Sequence, residues 1–348
     1  MTTLELYVLA GDHCESGTLV NILKSRSIEI SEPMVFGLGQ GLSFLYWHSK
    51  QMPGPFLGGR VKPDQLIRHA AAALNLDIRE SQTSSVAKAE ASLIAALDDS
   101  KDAAGLNNVS KEAVTANSFQ GKVYAFPEST EAMALFINTD KVKTMPTNSD
   151  DILKMATEVG MGLNTGFYQS AGFLFGQGAK LFDAQGKCIL DQGTGAVEAL
   201  KWIQTASKTP KVIADADGGK LDAAFKDGRV GMVFNGPWAT GDYEKAITQA
   251  KLGVNAPIVM MPANGKFAPF LGTKNLFLSS NSKGDAKNTA LGFMNFLSQP
   301  AQQETFAKIG HIPSNPNVNI SDPILKAFIA QTLSTTYFPN EPEMGAVW

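Results

Sequence analysis

The sequence predicts an α/β fold for most of the chain, because segments with helically spaced apolar residues alternate with short apolar strands. Apolar residues within 221–225 share one face of a predicted helix, and Asp227-Gly228 favours a tight turn after it. Residues 230–234, with the sequence VGMVF, then have the alternation of a strand covered mainly on one face. Asn235-Gly236-Pro237 ends this strand and places Trp238 just past its carboxyl end, where open α/β sheets bind ligands.

Length and composition describe a globular protein of two or three domains. The chain has 348 residues, of which 44% are hydrophobic and 18% are charged, and this balance excludes a disordered chain. The net charge of −3 argues against a nucleic-acid partner, which needs a basic face. Two cysteines, Cys14 and Cys188, are too few for a disulfide framework.

No segment has the pattern of a membrane span or an export signal. No apolar run approaches the roughly 20 residues that cross a bilayer. Residues 1–15 lack the basic N-terminal region of a signal peptide, and their apolar run is too short for one. The polar residues before Cys14 also argue against a lipoprotein cysteine. As written, the sequence therefore predicts a cytoplasmic chain.

Residues 1–100 have an organisation of their own. A helical stripe of apolar residues begins just after Cys14, a second helix is predicted to begin near Pro63, and a third covers residues 85–97. A thiol at the start of a helix meets the positive end of the helix dipole, which favours the thiolate. Cys14 is therefore the candidate nucleophile of this segment.

Residues 1–100 also contain three motifs in a fixed order: HCESGTLVNIL, ISEPMVFGLGQGLSF and FLGGRVKPDQL. Together they resemble the N-terminal domain of the butirosin biosynthesis protein H family of papain-like cysteine acyltransferases, which take an acyl group from a carrier protein. The resemblance implies an α+β papain-like segment with Cys14 as nucleophile. It stops near Ser100, before the strands that carry the family's histidine base. Because His13, His48 and His69 match no catalytic position, we expect a truncated and inactive segment.

A polar stretch with glycine and asparagine, DSKDAAGLNNVSKEA, follows this segment and has the composition of a boundary. We therefore predict two domains, one over residues 1–100 and one over residues 101–348.

The second domain begins with predicted strands. Strands are expected over residues 123–126 and 134–138, joined by a turn that contains Pro127. Two later segments, 252–262 and 275–280, also have strand composition and are expected to return across a hinge.

Helices alternate with these strands. Ser149 is the predicted cap of a helix whose first turn carries two acidic residues. A helix over 196–206 is expected to turn three apolar residues inward: Ala196, Leu200 and Ile203. Residues 285–297 have a clear apolar stripe at helical spacing.

Three motifs of this domain belong together: FPESTEAMALFINTD, GRVGMVFNGPW and YFPNEPEMGAVW. They resemble the maltose-binding group of ABC-transporter solute-binding proteins, and the similarity extends from about residue 106 to residue 348. The resemblance implies a type II periplasmic-binding-protein fold with an incomplete N-terminal lobe, preceded by the truncated α+β segment. Two ancestries that meet near residue 100 predict a fusion or chimera.

The resemblance implies four sugar-binding side chains: Glu131, Tyr168, Trp238 and Trp348. A carboxylate such as that of Glu131 accepts oriented hydrogen bonds from vicinal hydroxyls, and aromatic rings stack on the apolar face of a sugar. The sequence departs from the family at Gly166, where a carboxylate is expected, and at Ala171, where a tryptophan is expected. Both departures argue against maltose itself as the ligand.

Without the resemblance, two of these residues also have an ordinary structural interpretation. Trp238 fits a core position behind a turn, and Glu131 fits a solvated turn. The family match favours the ligand-binding interpretation of both.

The expected function is that of a non-enzymatic carbohydrate-binding component of an ABC transporter, with an oligosaccharide ligand and the transporter's membrane subunits as partners. That family acts outside the cytoplasm, which conflicts with the missing export signal. No cofactor is expected, and no metal site, because His13, His48, His69 and His311 show no ligand spacing. The alternative is a thiol-dependent acyltransferase that uses Cys14. An acyltransferase needs a base for that thiol, whereas a binding protein needs only a preformed surface.

Overall fold

The structure, a computed structural model, divides the chain into two compact units, residues 1–83 and residues 84–348. It describes residues 14–25, 28–41, 45–47, 56–58, 65–76, 104–119, 121–183, 185–280, 282–339 and 344. The domain boundary near residue 100 stays a prediction.

The first unit combines three helices with a short hairpin. Its elements are α1 (Cys14–Ser25), α2 (Glu32–Leu38), β1 (Leu45–Trp47), β2 (Phe56–Gly58) and α3 (Gln65–Ala73), with β1 and β2 antiparallel. Its core consists of apolar side chains from all three helices: Leu19, Val20, Leu23, Val35 and Ala70. The helices predicted after Cys14 and near Pro63 are confirmed, whereas the helix predicted over 85–97 lies outside the described residues.

The second unit alternates helices and strands. Its helices are α4 (Lys111–Ala116), α5 (Ser149–Val159), α6 (Phe167–Gly176), α7 (Gly195–Lys208), α8 (Gly218–Lys226), α9 (Thr240–Ile247), α10 (Gly284–Leu297), α11 (Pro300–Lys308) and α12 (Pro323–Thr332). Its strands are β3 (Ser118–Phe119), β4 (Lys122–Val123), β5 (Ala125–Glu131), β6 (Ala134–Asn138), β7 (Met161–Asn164), β8 (Val212–Asp215), β9 (Met232–Asn235), β10 (Leu252–Asn255), β11 (Val259–Met260), β12 (Gly265–Lys266), β13 (Phe270–Phe277), β14 (Ile312–Pro313) and β15 (Thr336–Tyr337). The predicted α/β alternation is confirmed.

A five-stranded mixed sheet forms the centre of this unit, in the order β10-β6-β9-β7-β8. Strands β9, β7 and β8 run parallel, and β6 is antiparallel to both of its neighbours. Met232 and Phe234 of β9 pack into one apolar cluster, and Val233 packs into another. The prediction of a strand covered mainly on one face was therefore wrong, because β9 is a central strand with helices on both sides.

Helices α5, α6 and α7 cover one face of this sheet, and α8, α9 and α12 cover the other. On the first face, α7 buries Trp202, whose ring stacks on Phe173 at 4.7 Å between centroids. The predicted inward position of Leu200 was wrong, since this side chain is 57% exposed. The broad indole of Trp202 occupies the space against the sheet, so the buried face of α7 is centred on it.

A second, four-stranded sheet has the order β14-β5-β13-β15. Strand β5 runs from Ala125 to Glu131, so the turn predicted around Pro127 was wrong. Pro127 is opposite Asn275, where the register between β5 and β13 shifts. A proline, which has no N–H group to donate, is tolerated in a strand at such an irregularity.

The cap of α5 also differs from the prediction. Asn148, not Ser149, caps the helix, because its Oδ1 accepts from the backbone N–H groups of Asp150 and Asp151 at 3.0 and 2.9 Å. Ser149 is buried, and its Oγ accepts from the N–H of Met261 at 2.9 Å. The hydroxyl that the sequence assigned to the cap instead attaches α5 to a loop.

Candidate functional site

The five-stranded and four-stranded sheets of the second unit meet where β5 passes into β6. Only Ala132 and Met133 separate the two strands, and both are buried. Ala134, the first residue of β6, pairs with Asn235, the last residue of β9. The ends of β5 and β9 therefore lie at the same junction, close to the turn that carries Trp238.

This junction contains a cavity of about 270 Å³, which we call the Trp238 cavity. It is lined by residues of the four-stranded sheet, of the turn and helix α9 that follow β9, and of the loop before β14: Thr130, Glu131, Pro237, Trp238, Gly241, Asp242, Lys274, Ile309, Gly310 and His311. Two of the four residues predicted to bind a sugar, Glu131 and Trp238, thus line one cavity.

Trp238 follows β9 in a single turn of 3₁₀ helix, Pro237–Ala239, and 49% of its surface is exposed. Its ring lies close to the backbone of Gly236, where an added Cβ would come within 2.1 Å of the indole. Only glycine allows this approach, because any other residue would displace the ring. The chain thus holds an aromatic surface at the cavity and leaves it open to solvent.

The end of β9 is fixed by a hydrogen-bond network behind this turn. Asn235 Nδ2 donates to Asp222 Oδ1 at 2.8 Å and to the Tyr243 hydroxyl oxygen at 2.9 Å. The Tyr243 hydroxyl donates to the same Asp222 oxygen at 2.6 Å, and Asn235 Oδ1 accepts from the N–H of Gly236 at 2.8 Å. Burial, and then the bond to Asp222, raise the pKa of Tyr243, which keeps its hydroxyl as the donor. The network anchors the backbone that presents Trp238.

Glu131 is the last residue of β5 and is opposite Gly272 of β13. A Cβ at Gly272 would lie 2.6 Å from the Glu131 Cγ, so the glycine makes room for the glutamate side chain. Burial raises the pKa of Glu131, and the positive charge of Lys274 partly lowers it. The alternative interpretation of Glu131 as part of a solvated turn does not hold, because the side chain is half-buried at a strand end.

Tyr168 lies in the first turn of α6, and its ring is 5.8 Å from that of Phe270. It is half-buried and does not line the Trp238 cavity. Burial, together with the negative charge of Glu131, raises the pKa of Tyr168 to about 12. The carboxylate of Glu131 is therefore close enough to the Tyr168 hydroxyl for their charges to interact. Trp348, the fourth predicted residue, lies outside the described residues.

Three further charged or titratable residues of the cavity were not predicted from the sequence: Asp242, Lys274 and His311. Lys274 Nζ lies 3.3 Å from His311 Nε2, and the His311 ring stacks on Phe306 at 5.9 Å. These residues come from distant parts of the chain and form no local motif. The pairing of β13 and β14 with β5 brings Lys274 and His311 to the cavity, whereas Asp242 lies on α9, just after the turn that carries Trp238.

A larger cavity of about 690 Å³ lies elsewhere in the second unit. It is lined by residues within 115–119, 175–183 and 336–339. None of the predicted site residues lines it, so we assign the candidate site to the Trp238 cavity.

The Trp238 cavity combines one open aromatic face with carboxylate acceptors and an ammonium donor. In the part of the chain that the structure describes, no group of three histidine, cysteine or acidic residues is arranged to hold a metal ion. An aromatic platform beside oriented hydrogen-bonding groups suits a ligand with one apolar face and several hydroxyls.

Comparison with known proteins identifies the family. Residues 65–330 match the model of the bacterial extracellular solute-binding proteins. The chain belongs to this family. Residues 13–106 also match the N-terminal model of butirosin biosynthesis protein H, so both resemblances seen in the sequence are confirmed.

Curated members of the solute-binding family are similar to most of this chain. The maltodextrin-binding protein MdxE of Bacillus subtilis is 29% identical over 255 residues, or 66% of this chain and 60% of the relative. A maltooligosaccharide ABC-transporter solute-binding lipoprotein of Streptococcus pneumoniae is 28% identical over 272 residues, or 71% and 63%. This solute-binding protein thus spans about three fifths of the length of these relatives.

Solved structures of the family share the fold. The maltotriose-binding protein of Thermus thermophilus, bound with maltotriose, matches with a TM-score of 0.62 at 28% identity, covering 74% of this chain and 73% of the other. An extracellular solute-binding protein of Staphylococcus aureus in complex with maltose matches with a TM-score of 0.64 at 26% identity, covering 74% and 72%. The predicted type II periplasmic-binding-protein fold is confirmed.

Proposed function

We propose that this solute-binding protein is the carbohydrate-binding component of an ABC transporter and that it takes oligosaccharides of the maltodextrin type. The observation that carries the proposal is the placement of Trp238 and Glu131 on one cavity, between the end of β5 and the turn that follows β9. The names of the relatives, which refer to maltodextrin and maltooligosaccharides, support the choice of ligand.

The two side chains have complementary roles in this proposal. The indole of Trp238 stacks against the C–H face of a glucose ring, and the Glu131 carboxylate accepts hydrogen bonds from adjacent hydroxyls. Tyr168 adds a hydroxyl near Glu131, which is protonated at physiological pH as in any ordinary tyrosine, and burial and the charge of Glu131 raise its pKa further, to about 12. The stacking role of Trp348 remains a prediction.

Calorimetric titration of the full chain with maltose, maltotriose and cellotriose tests the proposal. We expect maltotriose to bind and cellotriose, which has β-linked glucose units, to bind more weakly or not at all. Absence of heat with every α-linked oligosaccharide, at concentrations up to the millimolar range, would reject the proposed ligand class.

Replacing Glu131 by glutamine is expected to weaken maltotriose binding roughly 10- to 150-fold, the loss that follows from removing a charged hydrogen-bond acceptor worth about 1.5–3 kcal/mol. Glu128→Gln is the matched control. Glu128 lies on the same strand, and burial and Lys274 shift its pKa in the same directions, but it does not line the Trp238 cavity. Equal losses in the two variants would mean that the effect comes from the strand's charge and not from contact with the sugar.

The proposal also implies the membrane subunits of a transporter as partners. Among the residues that the structure describes, no helix has both the length and the apolar composition needed to cross a bilayer. The family is described as extracellular. The cytoplasmic location suggested by the sequence stays a prediction.

A second candidate function concerns residues 13–106, where the match to butirosin biosynthesis protein H supports a thiol-dependent acyltransferase. Cys14 is the first residue of α1, as a helix-start nucleophile requires. We expect no acyl transfer, because no histidine matches the family's catalytic base.

The test incubates the chain with an acylated carrier protein and locates acyl groups by mass spectrometry. The exposed Cys188 is the internal control thiol. An adduct at Cys14 that exceeds the one at Cys188, and is lost in Cys14→Ser, would establish the acyltransferase.

A further inference from the structure

Lys274 lies diagonally opposite Glu131 on the neighbouring strand. In the pairing of β5 with β13, Glu131 is opposite Gly272 and Ser129 is opposite Lys274. Residues two apart on a strand project to the same face, so the Lys274 and Glu131 side chains emerge on one side of the sheet. Diagonal neighbours of this kind are within reach of long side chains, and the Glu131 side chain lies over Gly272, on the side of the sheet that also carries Lys274.

His311 reaches the same place from the loop before β14. Lys274 Nζ is 3.3 Å from His311 Nε2, a contact in which the ammonium donates and the ring nitrogen accepts. An accepting Nε2 requires a neutral ring with its proton on Nδ1. His311 Nδ1 lies 3.6 Å from Glu128 Oε1, just beyond hydrogen-bond distance. Burial and the charge of Lys274 both lower the pKa of His311, which agrees with a neutral ring.

We propose that Lys274 is a positioning residue of the sugar site: its ammonium group holds Glu131 as an anionic acceptor and His311 as a neutral ring, and so sets the pH range in which the Trp238 cavity binds. This inference rests on the function proposed above. Lys274 acts here through its neighbours, since Glu131 makes the sugar contact.

The charged and titratable groups around Glu131 come from five elements. They are Lys274 on β13, Glu128 on β5, His311 before β14, Asp242 on α9 and Tyr168 on α6. Of these, Lys274 is the group that carries a positive charge when His311 is neutral. Burial of the site opposes ionisation of Glu131, and the positive charge of Lys274 partly offsets that effect.

The sign of the pH effect follows from this arrangement. Sugar binding needs the Glu131 carboxylate, so affinity is present above the pKa of Glu131 and is lost as the pH falls through it. Burial raises that pKa and Lys274 lowers it. Removing the cation therefore moves the loss of affinity to higher pH, whereas an arginine at the same position retains the charge and keeps the profile.

The experiment measures maltotriose affinity by calorimetry from about pH 4 to about pH 8. It compares the wild type with Lys274→Met, Lys274→Arg and Lys154→Met, since Lys154 is an exposed lysine on α5 outside the cavity. We expect the acid limb of the Lys274→Met profile to move to higher pH, with the other two variants following the wild type. A loss of affinity by the same factor at every pH would indicate a structural role and overturn the proposal.

Carbon-13 NMR of the Glu131 carboxyl group in the sugar-free chain gives a second readout, which does not depend on ligand. A titration midpoint that is higher in Lys274→Met than in the wild type supports the proposal, and an unchanged midpoint overturns it. If no oligosaccharide binds the wild type, the function proposed above fails, and the NMR comparison still decides whether Lys274 controls the charge of Glu131. Circular dichroism of each variant establishes that the fold is retained.

Discussion

Replacing Phe173 by alanine is expected to lower the free energy of unfolding by about 3–5 kcal/mol, the range found when a buried phenylalanine leaves a cavity. Phe173 is 1% exposed and lies at the centre of the larger apolar cluster. Its ring is 4.7 Å from Trp202, 5.0 Å from Phe234 and 4.9 Å from Phe267, measured between centroids. These three rings come from a helix, the central strand and a loop, so no single neighbour can move to fill the space.

Urea unfolding followed by circular dichroism measures this loss. Phe296→Ala is the matched control, because this phenylalanine lies on α10 with 51% of its surface exposed. We expect the control to change the free energy of unfolding by less than about 0.5 kcal/mol. A Phe173→Ala variant that loses no more than the control would show that the second unit does not depend on this cluster.

Replacing Trp238 by alanine is expected to weaken maltotriose binding roughly 5- to 150-fold, which corresponds to about 1–3 kcal/mol for an aromatic anchor. The indole is half exposed and supports little of the core, so the effect on stability should be much smaller than that of Phe173→Ala. Trp238→Phe retains an aromatic face and should recover part of the affinity. Binding that is unchanged in Trp238→Ala would place the sugar site elsewhere.

Gly236→Ala is expected to reduce affinity in the same direction, although it removes no contact group. The added methyl group would lie 2.1 Å from the indole and must displace it. Gly292→Ala is the control, since a Cβ at Gly292 would meet no atom within 4 Å. Calorimetry with maltotriose compares the two variants, and equal affinities would show that the position of the indole over Gly236 is not what the sugar requires.

Much of the fold could be predicted because its elements have local signals. The helix, turn and strand that lead to Trp238 are encoded by apolar periodicity and by the Asn235-Gly236-Pro237 break, and the structure reproduces all of them. The errors came from tertiary context. Leu200 has the right spacing for an inward position, but the larger Trp202 on the same helix takes the space against the sheet.

The candidate site was only partly predictable for a related reason. Glu131 and Trp238 lie in motifs that a reader can recognise, whereas Lys274 and His311 are isolated polar residues in ordinary strand and loop sequence. Their relation to Glu131 exists only through the pairing of β13 and β14 with β5. Strand pairing between distant segments leaves no local pattern, so the charge environment of Glu131 could not be predicted.

The short buried link between β5 and β6 has a mechanical consequence. Glu131 ends a strand of the four-stranded sheet and Trp238 follows a strand of the five-stranded one, with Ala132 and Met133 between the two sheets. A ligand that touches both side chains is therefore sensitive to the angle between the sheets. It binds best at the angle where both contacts form, and it shifts the population toward that angle by the difference in affinity.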